Sequence, residues 1–258
     1  MRIVAVLQAR ITSTRLPGKV LKPILSRPML ARQIERIQRS KKINAITLAT
    51  STDKSDEPLK ALAKDCGVSF YAGSLNDVLD RFYNAVKGNK PDHIVRLTGD
   101  CPLLDPTVID QLIELHVNER NDYSSNCYPP TYPDGLDTEI MTFSALERAW
   151  KEAGLPSDRE HVTPYLRKAS AGVKVGVLSN NENLSHHRWT VDEPEDFEKV
   201  AWIYQALYPV NSNFMTDDIL RFLKENPAVD KLNHKFARNE GYAKSLKEDE
   251  LFLKGKKK

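Results

Sequence analysis

Through the first 120 positions, short unbroken apolar runs alternate with stretches whose apolar residues recur every three or four. The runs at 3–7, 45–49 and 93–97, with a shorter one near 68–71, predict strands buried on both faces. Stretches 28–40, 55–65, 75–87 and 106–119 predict helices. Leu30, Ile34 and Ile37 share one face of the first, and Leu59, Leu62 and Ala63 one face of the second. Ser55 and Asp56 suit a helix start, and Asp105-Pro106 reads as an N-cap followed by proline in the first turn. Repeated β–α units of this length predict an α/β fold: a Rossmann-like, doubly wound, mostly parallel (mixed) sheet. Such a sheet opens a crevice at the carboxyl ends of its strands. Leu7-Gln8-Ala9-Arg10 and Leu97-Thr98-Gly99-Asp100 both fall at such ends.

The rhythm changes at Asn121. Residues 128–135 are rich in turn formers and lead into a strand-like Asp137–Thr142, then helices near 143–153 and 158–169. The segment at about 121–170 reads as an insertion in a single domain spanning 1–230. It is expected to stand beside the crevice, where it would hold a second substrate or make a dimer contact, and a homodimer is expected. The earlier pattern then returns with a strand at 173–178, a strand-like Arg188–Val191, a helix after Asp192, and another carrying Leu220, Phe222 and Leu223.

Composition narrows the class. The 258 residues, 40% hydrophobic and 28% charged, suffice for one full core. No stretch nears the roughly 20 apolar residues of a membrane span. Met1 runs directly into a core-type strand, without a signal-peptide pattern. Cys66, Cys101 and Cys127 are odd in number and lack C-x-x-C spacing, which argues against a disulfide scaffold or a structural zinc site. A cytoplasmic protein with reduced thiols is expected. The net charge of +3 belongs to one end: Lys231–Lys258 holds nine Lys/Arg against four Asp/Glu, which leaves −2 for the rest. A basic, partly flexible tail is expected over 231–258. A nucleic-acid arm is not, because the terminal lysines have no aromatic interleaving beyond Phe252.

Candidate chemistry begins after the first run. Arg10, Arg15 and Lys19 are spaced through a loop that also carries Ser13, Thr14 and a Pro17-Gly18 turn. A buried strand ending in a basic loop with a glycine presents backbone amides and positive charge to a phosphate chain. The loop is not a Walker A sequence: Val20 follows Gly18-Lys19, and no glycine stands five residues before Gly18. It also lacks G-x-G-x-x-G. Asp100, between a buried strand and Cys101-Pro102, should point into the crevice, although an Asp there can also cap a turn. Asp192, ahead of Glu193-Pro194-Glu195-Asp196, reads locally as a helix N-cap.

The motif L-Q-A-R-x-x-S-T-R-L-P-G-K-V-L resembles the signature loop of sugar-acid cytidylyltransferases, the group containing the CMP-Kdo and CMP-sialate synthetases. More closely, the chain resembles the spore coat polysaccharide biosynthesis protein F family of that group. The resemblance recurs at Arg96–Pro102, Tyr132–Asp137, Arg159–Tyr165 and Arg188–Asp196, and so runs from residue 2 to about 245. It implies a sheet of the nucleotidyltransferase and glycosyltransferase-A type. It also implies transfer of CMP from CTP to a nonulosonic- or Kdo-like acid with release of pyrophosphate, in surface polysaccharide or glycan biosynthesis. Sialate synthetases place D-x-D at the second acidic site, whereas Thr190 precedes Val191-Asp192 here, an arrangement closer to the Kdo type.

By resemblance, Arg10, Arg15 and Lys19 take the triphosphate. Leu7, Ala9, Ser13, Gly18, Thr98 and Asp100 complete the nucleotide site, and Ser74 and Arg81 lie near the base. For Arg81, a solvated i, i+4 pair with Asp77 is an equal reading. Asp100 and Asp192 are assigned to Mg²⁺, and with Lys19 and Arg10 they form the expected catalytic set. Tyr132, Asp134, Asp137, Glu139, Arg159, His161 and Arg188 are expected at the acceptor, with Arg188 or Arg159 on its carboxylate. The bland alternative is that both arginines pair with neighbouring acids. Two other classes remain open at this point: a sugar-nucleotide-dependent glycosyltransferase, for which Gly99-Asp100-Cys101-Pro102 supplies only one acid, and a non-catalytic nucleotide-binding partner.

Overall fold

The run at 3–7 becomes the centre of the molecule. Ile3, Ala5 and Leu7 face one side of a sheet and Val4 and Val6 the other, and all five are buried. A computed structural model describes residues 1–238 and 240–255. In chain order its strands are β1 (Ile3–Gln8), β2 (Pro23–Ile24), β3 (Arg27–Pro28), β4 (Ala45–Ser51), β5 (Ser69–Gly73), β6 (His93–Thr98), β7 (Tyr123–Ser125), β8 (Glu139–Thr142) and β9 (Val175–Val177). The helices are α1 (Met29–Ile37), α2 (Pro58–Asp65), α3 (Val78–Val86), α4 (Pro106–Asn118), α5 (Phe143–Glu152), α6 (Pro156–His161), α7 (Pro194–Leu207), α8 (Thr216–Glu225), α9 (Pro227–Asp230) and α10 (Glu240–Gly255).

Seven strands form one sheet in the order β5-β4-β1-β6-β8-β7-β9, and β2 and β3 form a separate hairpin. β1 pairs in parallel with both β4 and β6, so Gln8 lies level with Ala49 and Thr98. The chain moves outward from β1 through β4 to β5 and then returns to the other side of β1 at β6. That reversal opens a crevice at the ends of β1 and β6. One face is packed by Leu30, Ile34, Leu59, Ile109 and Leu112 from α1, α2 and α4. The other is packed by Val78, Leu79, Phe82 and Leu146 from α3 and α5. Covering both faces is what lets the strands read as continuous apolar runs.

The inserted segment does more than stand beside the crevice. β8 joins the sheet antiparallel to β6, and β7 lies between β8 and β9. A third core gathers Trp189 and Val191 with Val200, Ile203, Tyr204, Phe214 and Ile219, and fixes 189–191 against α7 and α8. Those residues form no sheet strand; Arg188 makes an isolated parallel bridge to Asp134.

The expectation of a partly flexible tail needs correction. Residues 240–255 form α10, which docks on α6: the Asp249 carboxylate accepts from the Ser157 backbone N–H and hydroxyl, and the Ser245 hydroxyl meets both His161 and Glu160. Ser245 and Asp249, buried and four residues apart, make this contact with polar groups, so no apolar stripe announces it. The terminal lysines 256–258 lie outside the described residues.

Candidate active site

The loop after β1 is shaped before it meets any ligand. Asp56 is buried, accepts from the Ile11 backbone N–H at 2.6 Å and from the Thr50 and Ser51 hydroxyls, and so ties the start of the loop to the end of β4. Gly18 adopts φ +70°, a left-handed conformation open to glycine at no steric cost, and turns the chain into the 3-10 turn Lys19–Leu21. This turn carries Lys19 inward, where its side chain is nearly buried.

The Lys19 ammonium donates to the Val191 carbonyl at 2.7 Å and to Asp192 Oδ1 at 2.9 Å, and lies 3.6 Å from Asp100 Oδ2. The two aspartates, far apart in sequence, therefore converge on one point. Backbone bonds hold them there: the Val191 N–H donates to the Asp100 carbonyl at 2.8 Å. Burial pushes the Lys19 pKa down, but Asp100 and Asp192 together outweigh it and raise it above the usual lysine value. Burial likewise pushes the Asp100 carboxyl up, and the Lys19 ammonium with hydrogen bonds from Thr98 and Cys101 brings it below the ordinary aspartate range. Asp192 does not cap the following helix. Glu193 takes that position in a capping box with Asp196, which leaves the Asp192 carboxylate to Lys19 and to Arg15 Nη2 at 3.0 Å.

Two cavities meet at this pair. The larger, about 600 Å³, is lined by Ala9, Arg10, Ser13, Arg15, Lys19 and Arg81. The smaller, about 240 Å³, is lined by Asp134, Asp137, Glu139, Arg167, Arg188 and Tyr242. Arg15, Arg96, Thr98, Asp100, His161 and Asp192 border both. Most of the residues anticipated for nucleotide and acceptor are thus brought together. Arg81 is buried beside the larger cavity; its Nη1 donates to the Ser74 carbonyl, and its Nε has no hydrogen-bond partner among the described residues. Asp77, the alternative partner for Arg81, instead caps α3 and pairs with Arg159.

Four expectations change. Leu7 is a core side chain on the far face of β1. Gly18 supplies the turn that aims Lys19, Ser74 anchors Arg81 and the start of α3, and Tyr132 packs with Trp189 and Val191 in the third core. None of the four is among the described residues lining either cavity. The arginines expected on the acceptor carboxylate are committed elsewhere. Arg159 Nε and Nη2 grip Asp77 and Nη1 donates to the Trp150 carbonyl, and Arg159 borders the nucleotide-side cavity. Arg188 is buried and grips Asp196 bidentately through Nε (2.9 Å) and Nη2 (2.8 Å); Nη1 meets Asp134 and the Ala237 carbonyl, and Nη2 also reaches Asp192. Burial opposes its charge, yet these acids raise its pKa above the usual arginine value. Arg188 is a structural clamp behind Asp192.

Other residues at the acceptor side were not foreseen. Arg96, on β6, pairs with Glu139 on β8, whose carboxylate also accepts from the Tyr123 hydroxyl. Arg238, just before α10, pairs with Asp137 and donates to the Tyr132 carbonyl. Burial pushes the Asp137 carboxyl up to about 7 despite Arg238, with Asp134 and Glu139 adding to the shift. Arg167 and Tyr242 complete that wall. His161 borders both cavities, and burial first, then Arg96 and Arg167, lowers its pKa, which favours the neutral imidazole. The cysteine thiols at 101 and 127 are buried and pushed well above their ordinary pKa by that burial, which disfavours the nucleophilic thiolate.

The insert and the segment 187–192 are fastened together at one glycine. The Asp134 N–H donates to the His187 carbonyl, and the Trp189 and Thr190 N–H groups donate to the Asp134 carbonyl. Gly135 follows with φ +112°, and a Cβ there would stand 2.6 Å from the backbone of Trp189 and Thr190.

Comparison with known proteins agrees with this geometry. Residues 4–235 match the cytidylyltransferase family model. The chain is 38% identical over 235 residues to the uncharacterized protein MJ1063 of Methanocaldococcus jannaschii, covering 90% of this chain and 95% of that one. It is 33% identical over 232 residues to the spore coat polysaccharide biosynthesis protein SpsF of Bacillus subtilis, covering 87% and 95%. A cytidylyltransferase structure from Leptospira borgpetersenii superposes with a TM-score of 0.86 at 33% identity, over 92% of this chain and all of that one. With the family matched along nearly its whole length, the chain belongs to the cytidylyltransferases.

Proposed function

We propose that the protein transfers the cytidylyl group of CTP to an acidic sugar of the nonulosonic or Kdo-like kind, releasing pyrophosphate. The observation that carries the reading is the junction of the two cavities at Asp100 and Asp192. A group-transfer site needs a donor phosphate and an acceptor hydroxyl brought to one point, and here a basic cavity and a hydroxyl-matching, carboxylate-lined one share that point. Arg10 and Arg15 would take triphosphate oxygens with their planar forks, and Lys19 would supply a point charge beside the reacting phosphorus. The acceptor oxygen would attack the α-phosphorus in line as the bond to the departing pyrophosphate breaks.

Asp100 and Asp192 fit Mg²⁺. Both carboxylates converge on one small cationic group, the Lys19 ammonium, and a hard cation that keeps several waters needs only one or two protein carboxylates. When bound there, the ion would neutralise charge developing on the phosphate oxygens. The name of the Bacillus subtilis relative supports a place in surface polysaccharide biosynthesis. We place the protein in the cytoplasm, where CTP is available, and no helix among the described residues is long and apolar enough to cross a membrane. The test is pyrophosphate release by the purified protein with each nucleoside triphosphate, Mg²⁺ and a panel of sugar acids. CTP-specific release that requires a sugar acid is expected; release that is indifferent to the acid, or none with any acid, would sink the reading.

A further inference from the structure

The acceptor-side cavity is closed by a part of the chain that the family model does not include. The match ends at residue 235, whereas Ala237, Gly241 and Tyr242 line the cavity and Arg238 pairs with Asp137 on its floor. Helix α10 carries this wall, and its docking is specific: Asp249 holds Ser157, and Ser245 bridges His161 and Glu160.

Facing this helix is a cation without an ion-pair partner among the described residues, although the Tyr128 side chain hydrogen-bonds it and the Glu139 charge lies near enough to favour it. Arg96, Arg188 and Arg238 each have a carboxylate partner, at Glu139, Asp196 and Asp137. Arg167, half-buried on the 3-10 turn Pro164–Arg167, has no carboxylate within ion-pair distance among the described residues. Its guanidinium carbon lies 3.8 Å from the Tyr128 ring centroid and 5.3 Å from that of Tyr242. A guanidinium held against aromatic faces keeps its in-plane N–H groups directed outward, the geometry for a planar bidentate anion.

We propose that Arg167, clamped between Tyr128 of the insert and Tyr242 of α10, binds the carboxylate of the acceptor, and that α10 is the element setting acceptor specificity. This rests on the cytidylyl-transfer reading above. The neighbouring Asp134, Asp137 and Glu139 make the remaining wall one that accepts hydroxyl or ammonium groups, so the acceptor class is a small polyhydroxylated acid rather than a neutral sugar. His161 completes the link, since its ring meets Tyr242 edge-on at 5.1 Å and borders both cavities.

The experiment uses the full chain with CTP, Mg²⁺ and four probes: Kdo, a sialic acid, and the methyl ester of each. With the unaltered protein, the acid that supports pyrophosphate release should show a KM about 10- to 100-fold below that of its ester. Arg167→Met should raise the KM of the acid to that of the ester and leave the KM of CTP unchanged, with part of the preference recovered in Arg167→Lys. Tyr242→Ala should raise the acid KM several-fold, and Tyr242→Phe should recover most of it. An acid-to-ester preference that persists in Arg167→Met, or KM values for CTP and acceptor that rise together with a lowered melting temperature, overturns the proposal. Absence of release by the unaltered protein with every probe overturns the reading beneath it as well.

Discussion

The two cavities that meet at Asp100 and Asp192 are built in opposite ways. On the nucleotide side three of the cations, Arg10, Arg15 and Lys19, come from one contiguous loop hung from β1 and tied by Asp56, and Arg81, Arg96 and Arg159 join them from α3, β6 and α6. Arg10 is exposed and makes no ion pair among the described residues. On the acceptor side the charges come from β6, β8, the Pro164–Arg167 turn, the segment 188–192 and the approach to α10, and most are matched against one another. In the proposed reaction a polyphosphate would meet Arg10 in water first, with Arg15 and Lys19 behind it already paired to Asp192. A small polyol must enter a network already neutral within itself, because unpaired charge in an enclosed site is costly. On the proposed reading, the first would be held by charge and the second by one cation set in an otherwise matched wall.

The sharpest way to break this division is to alter the point where the halves join. Asp100→Asn and Asp192→Asn should each lower kcat by orders of magnitude, a loss of several kcal/mol of transition-state stabilisation, while far-UV circular dichroism stays native. Near-normal turnover in either variant, or full activity in EDTA, would show that the aspartates only hold Lys19.

Next in size is Arg188→Met. Removing one partner of a buried pair should cost about 3–5 kcal/mol in chemical unfolding, because Asp196 and Asp134 lose their shared cation. If stability is unchanged and the acceptor KM alone rises, the clamp assignment fails and the original expectation for this residue returns.

Arg10→Ala should behave in the reverse manner. Calorimetry should show CTP binding weakened roughly 10-fold with no change in melting temperature, since the exposed side chain makes no ion pair among the described residues. Unaltered CTP affinity would remove the open-cation account of the loop.

A further test concerns pH. The Asp137 carboxyl titrates at about 7 in the fold against 3.8 ordinarily. Between those values the unfolded chain has released a proton that the folded one keeps, so this group's contribution to stability falls as pH rises from about 4 to 7. Denaturation across that window should show a shallower decline in Asp137→Asn, and identical slopes would contradict the raised pKa.

The same contrast explains what could be read in the sequence. The sheet, and the basic loop at its crevice, were legible because apolar runs and a contiguous motif are local signals. Lys19 could be expected at the phosphates, and its pairing with Asp192 followed from the fold. The acceptor side was opaque because its partners are remote: Arg238 finds Asp137 across 101 positions, and Arg96 finds Glu139 across 43. Nothing near Arg188 distinguished Asp196 behind it from an acceptor carboxylate in front. The basic composition of 231–258 concealed α10, whose docking uses a serine and an aspartate. Phe236, Tyr242 and Phe252 were aromatics in a segment read as solvated, and of these Tyr242 lines the cavity.

Gly135 bears on how such a pocket could be rebuilt. The side chains facing the acceptor are separable choices, open to exchange in a combinatorial library. Position 135 is not, since a single added methyl would press on the backbone of Trp189 and Thr190, two residues ahead of Asp192. A change meant for the acceptor side would then be felt at Asp192. Diversity sought for new acceptors therefore belongs on Tyr128, Arg167 and the face of α10, with the glycine held fixed as the datum from which both halves of the site are measured.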